Sequence, residues 1–78
     1  MTVTLVNDLA HKHGDRVMAA LRAAEDGKTD FELANELNIL LSSINAARNT
    51  LMNQGYVKAR GDRRPSGRGG MAKVWVAA

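Results

Sequence analysis

Apolar positions recur with helical spacing from Asp15 to Leu51 and alternate after Gly55. In Asp15–Ala24, Val17, Met18, Leu21 and Ala24 share one face, while Arg16 and Arg22 point outward. Asp15 can cap this helix, and Glu25-Asp26-Gly27 ends it. Thr29 and Glu32 then have the S/T-x-x-E spacing of a capping box. Leu33, Ala34 and Leu37 follow on one face, and Asn38 tolerates the left-handed conformation that stops a helix. Ile39 and Leu40 are both apolar, which predicts a turn pinned to a core. Ser42 or Ser43 can cap the next helix, whose inner stripe is Ile44, Ala47 and Leu51 and whose end is Gly55.

Beyond Gly55 the period falls to two. Val57 and Ala59 alternate with Lys58 and Arg60; Val74 and Val76 alternate with Lys73, Trp75 and Ala77. The intervening GDRRPSGRGG has loop composition, so the segment predicts a hairpin with a long basic loop. Trp75 fits either the core or the hairpin's outer face; as the sole Trp of a small domain it is assigned to the core. Phe31, the sole Phe, is expected in the core, bridging the first and second helices. Ahead of all this, Leu5, Val6 and Leu9 predict a short helix over about Thr4–His11, broken at Gly14. That stripe serves equally as a dimerisation surface or as a cover for the domain's own core.

The joined segment Thr29–Val57 resembles the helix-turn-helix of DNA-binding proteins. Ala34 stands where the two helices must cross closely, Asn38 stands at the turn, where Gly is more usual, and Ile44 lies in the first turn of the second helix. With the hairpin, the resemblance is to the winged helix-turn-helix family and covers roughly Asp15–Ala77. It implies an α+β fold: a three-helix core in residues 15–78 with a C-terminal β-hairpin wing. Residues 1–14 form an extension that allows an extra N-terminal helix. Lys28 falls where such domains place a short strand. Arg48 departs from the family, in which Leu is common at that place. It can snorkel to phosphates or pair with Glu32 or Glu36.

Charge sharpens the picture. Residues 1–47 carry four cationic side chains and seven carboxylates, net −3; residues 48–78 carry seven and one, net +6. A basic end on an acidic domain suits a polyanion. The candidate DNA contacts are Ser42, Ser43, Asn45, Ala46, Arg48 and Asn49 on the second motif helix. On the hairpin they are Lys58, Arg60, Arg63, Arg64, Arg68 and Lys73. An Asn amide can donate and accept on the adenine edge, Ser suits phosphate oxygens, and wing Arg residues suit a narrow minor groove or the backbone. Asp30, Glu32 and Glu36 read as a solvated face and a cap.

Catalysis has little to stand on. The chain has no Cys, no G-x-S-x-G, no H-E-x-x-H and no Gly-rich loop opening a helix. His11 and His13, two apart on a helix, do not face one way, so no metal or cofactor is expected. Absent cysteines and apolar runs suggest a cytoplasmic, nucleoid-associated protein rather than a membrane one. The expected function is sequence-specific binding of double-stranded DNA by a transcriptional regulator, a repressor. It is expected to act as a homodimer through Leu5, Val6 and Leu9, without a small-molecule ligand. The alternatives are an architectural or excisionase-type DNA binder and a protein- or RNA-interaction winged helix. Binding of left-handed DNA is disfavoured, because Asn49 replaces the Tyr that should follow Asn45 by four residues.

Overall fold

A computed structural model describes residues 2–67 and 69–78, with side chains from His13 onward. Among these residues the chain forms α1 (Thr2–Ala23), α2 (Asp30–Leu37), α3 (Leu41–Asn53), β1 (Val57–Pro65) and β2 (Met71–Ala77). The layout is α+β, three helices followed by an antiparallel hairpin, and is compatible with a winged helix. Among the described residues no helix is long and apolar enough to cross a membrane.

The expected break at Gly14 does not occur; α1 continues through it. Glycine inside a helix costs about 1 kcal/mol relative to Ala. Gly14 is buried facing α3, and a Cβ there would lie 4.0 Å from Leu51 Cδ2, an ordinary van der Waals separation. A cost of that size does not end a helix whose next turns are packed into the core. Of the predicted stripe Val17, Met18 and Leu21 enter the core, joined by Ala20, whereas Ala24 lies beyond the end of α1 and is only half-buried.

α2 is bounded as the sequence predicts. Thr29 N donates to Glu32 Oε1 at 2.8 Å and Glu32 N donates to Thr29 Oγ1 at 3.1 Å, which is the reciprocal capping box. Thr29 itself is completely buried. Asn38 ends the helix in the left-handed region, φ 56° and ψ 47°, and the Ile39 amide reaches back to the Ala34 carbonyl at 3.1 Å.

The turn into α3 differs from expectation in two ways. Ile39 is buried, but Leu40 is 76% exposed, so only one of the two apolar turn residues meets the core. Leu40 is also the N-cap of α3 and supplies no side-chain cap, so Ser42 and Ser43 lie within the first helical turn. The link is too short for another arrangement, because Ile44 N already donates to the Leu40 carbonyl at 3.0 Å. At the far end Gly55 (φ 84°) closes the helix. Its amide donates to Met52 O at 3.0 Å, and Tyr56 N donates to Leu51 O at 2.9 Å, the paired bonds of a Schellman end.

The core gathers Val17, Leu21, Leu33, Ile44, Val57 and Trp75, which places Trp75 inside. Phe31 is not part of it. It is half-buried and lies against the hairpin turn, where a Cβ on Gly67 would collide with its ring. β1 and β2 pair Val57 with Ala77 through Ala59 with Trp75, then Arg63 with Lys73 through Pro65 with Met71. The shift between these two runs is a bulge at Arg60, Gly61 and Asp62, with Gly61 at φ 110°. Half of the predicted loop, residues 61–65, is therefore strand, and the hairpin turns only between Ser66 and Gly70, whose N–H···O bond is 2.8 Å. Val57 faces inward as the alternation predicts, but Ala59 is exposed.

Lys28 does provide a one-residue strand. Lys28 N donates to Trp75 O at 3.0 Å and Trp75 N donates to Lys28 O at 2.8 Å. Gly27 permits this approach: at φ 70° a Cβ would stand 2.6 Å from the Trp75 carbonyl.

Candidate nucleic-acid interface

The outward positions of α3 divide between two surfaces. Ser42, Asn45 and Asn49 are exposed. Ser43 and Ala46 instead line an open groove between α1 and α3, with Met18, Ala19, Leu51 and Tyr56. α3 carries no carboxylate, so its outer face presents only small, polar and amide groups. Leu40 adds a feature that sequence reasoning missed, an exposed apolar side chain at the start of α3. The available signal was that Asn38 halts α2 and leaves a turn so short that one of two adjacent apolar residues must face out. His13 also borders the groove, and its Nδ1 is buried without a partner among the described residues.

The cations fall into two groups. Arg48 is held inside the molecule. Its Nε donates to Asp30 Oδ1 at 3.1 Å and its Nη2 to Asp30 Oδ2 at 2.8 Å, while its guanidinium lies 4.2 Å from the centre of the Trp75 ring. The partner is thus Asp30 rather than Glu32 or Glu36. With side chains only 16% and 15% exposed, this pair is turned away from any outside polyanion. Arg48 therefore leaves the set of contacts expected on α3.

Arg64 is also committed. Its Nη1 donates to Glu32 at 3.0 and 3.2 Å, and its Nη2 donates to the carbonyls of Asp26 and Gly27. Arg60 donates to the Asp26 carbonyl at 2.6 Å and sits 3.5 Å from the Asp62 carboxylate. Lys28 pairs with Glu36 at 2.8 Å. Glu32 is the expected cap and Glu36 is exposed, but Asp30 is mostly buried, and each of the three also holds a cation. Arg16, outward on α1 as expected, donates to the last carbonyl of α2, Leu37 O, at 2.7 Å.

Lys58, Arg63 and Lys73 form the second group. All are exposed, and among the described residues no carboxylate lies within ion-pairing distance, 4.0 Å, of any of them. Arg63 and Lys73 are direct cross-strand partners. The Lys73 ammonium is 6.0 Å from the Trp75 ring, the ring that Arg48 covers from α3, so Lys73 lies on the side of the hairpin that meets α3. Arg68 and the side chains of Leu5, Val6 and Leu9 lie outside the described residues.

No family model, curated protein or solved structure matches the chain.

Proposed function

We propose that this protein is a winged helix-turn-helix regulator that binds specific sites on double-stranded DNA, with α3 in the major groove and the hairpin as its wing on the flanking backbone. The observation that carries the reading is a juxtaposition. The outer face of α3 is free of carboxylates, with Ser42, Asn45 and Asn49 exposed, and the hairpin that follows it carries the exposed cross-strand cations Arg63 and Lys73. Amides and hydroxyls are the groups that read base edges, and cations beside them neutralise the phosphates that any such helix must approach. The α2–α3 turn supports it further: Asn38 ends α2 in the left-handed conformation and Ile39 is buried directly after it. Repression is the mode we assign, since occupying a promoter needs no further surface, and the nucleoid is where it acts.

Selection from a pool of random duplex DNA with the purified protein tests this directly. An enriched motif is the expected result; recovery of unenriched sequence, or of RNA in a parallel pool, removes the reading.

One short helix contacts few base pairs, seldom enough against a genome of competing sites, so two copies on a two-fold axis are proposed. Half-sites are then about 10 base pairs apart, one helical turn. Leu5, Val6 and Leu9 are the proposed contact. Sedimentation of the wild type and of Leu5→Glu/Leu9→Glu on the selected duplex checks it. A wild-type monomer bound to a site without a dyad would end the dimer proposal.

A further inference from the structure

We infer that the wing is a latched arm that grips the phosphate backbone with its flank, through Arg63 and Lys73, and does not insert its tip into the minor groove. Arg64 is the positioning residue that holds it there. This rests on the DNA-binding reading and goes beyond it by separating the wing's cations into those that meet DNA and those that aim the wing.

Three observations carry it. First, the tip is seated: Gly67 lies against the Phe31 ring so closely that even a Cβ would collide, which turns the end of the hairpin toward α2. Second, the middle of the hairpin is tied. Arg64 reaches from β1 to the Glu32 carboxylate and to the carbonyls of Asp26 and Gly27, so one guanidinium joins the wing, the N-terminal turn of α2 and the loop before it. Glu32 is itself fixed by the Thr29 amide, which makes the latch part of the capping box. Third, Arg63, next to Arg64 on β1, and its cross-strand neighbour Lys73 are exposed and have no carboxylate partner among the described residues. Like charges in direct cross-strand register are unfavourable unless an anion lies between them. Lys73 lies 6.0 Å from the Trp75 ring that Arg48 of α3 covers, on the hairpin face turned to that helix. The anion chemistry that fits is a phosphodiester of the duplex that α3 enters.

The salt dependence of binding separates the roles. The probe is a short mixed-sequence duplex, titrated with the full chain over a series of NaCl concentrations. Each phosphate contact contributes about 0.9 to the slope of log K against log salt, so Arg63→Gln/Lys73→Gln should flatten the slope by about 1.8. Arg64→Gln should weaken binding at every salt concentration and leave the slope unchanged. Gly67→Ala, which unseats the tip without touching a charge, should do the same and guards against a hairpin that merely loses a cation. A ligand that fills the A·T minor groove should not displace the protein. Binding by the wild type with an unflattened slope in the double variant overturns the inference and leaves DNA binding standing. So does a slope loss of about 0.9 in Arg64→Gln, or displacement by the groove ligand. No duplex binding by the wild type removes both readings together.

Discussion

The α2–α3 segment and the hairpin are held by different kinds of contact. Between Thr29 and Tyr56 the structure is set by bonds that span a few residues: the Thr29–Glu32 box, the Ile39-to-Ala34 return and the Tyr56-to-Leu51 return. The hairpin makes few such bonds with itself beyond its ladder. It is placed by side chains that cross the molecule, Arg60 to Asp26 over 34 positions and Arg64 to Glu32 over 32. The first region is a unit whose shape is local and whose surface is open. The second is a ribbon whose aim depends on ion pairs made elsewhere. A reading surface built this way keeps its recognition helix rigid while the flanking arm is oriented by groups that face away from the ligand.

The Asp30–Arg48–Trp75 cluster joins the two regions, so removing it should have the largest effect. Asp30→Ala leaves a mostly buried guanidinium without its anion, and breaking such a pair costs about 3 kcal/mol. Urea denaturation measures it. Asp30→Leu/Arg48→Met should recover much of the loss, because an apolar pair needs no mutual compensation. A cost for Asp30→Ala no larger than the roughly 1 kcal/mol of an exposed surface pair would show that the joint contributes little.

Asn45→Ala sharpens the comparison from the other side. Asn45 is exposed on α3 and its side chain makes no hydrogen bond among the described residues, so stability should not change. Discrimination between the selected site and mixed-sequence duplex should fall by about 1–3 kcal/mol if it makes a bidentate contact to a base. Equal weakening on both duplexes would reassign it to the backbone, and a loss of native circular dichroism would make it structural.

What was legible in the sequence follows the same division. The capping box, the left-handed Asn38, the Gly55 stop, the inner stripes of α2 and α3 and the one-residue strand at Lys28 all follow from spacing or family pattern, and the structure has them. Gly14 misleads because one glycine does not end a helix whose next turns, with Val17, Met18 and Leu21, are held in the core. The hairpin loop was read too long because Gly61 sits in a bulge, where positive φ extends the strand rather than ending it. Phe31 was assigned to the core because an aromatic among apolar neighbours carries no mark of facing a glycine 36 positions later. The cations were the least legible. Composition gives the basic excess, but whether an Arg meets a carboxylate or solvent depends on pairs such as Arg64 with Glu32 that no periodicity encodes.

Leu40 gives the smallest expected change and the finest test of the contrast. It is the least favourable kind of residue for its position: an apolar side chain, 76% exposed, at the N-cap of α3 with no side-chain cap bond. Leu40→Ser puts a hydroxyl where it can accept from the amide of Ser42 or Ser43, and loses almost no buried area. A gained N-cap is worth about 0.5–1 kcal/mol, so this variant should be more stable than the wild type by thermal denaturation. Its binding should move the opposite way. An exposed Leu at the head of a major-groove helix suits a thymine methyl, so Leu40→Ser should bind the selected site less tightly while gaining stability. Gain on both counts would mean that Leu40 touches nothing and that α3 simply begins without a cap. Loss on both would mean that Leu40 packs within the protein on binding, and that the α2–α3 turn is less rigid than its local bonds imply.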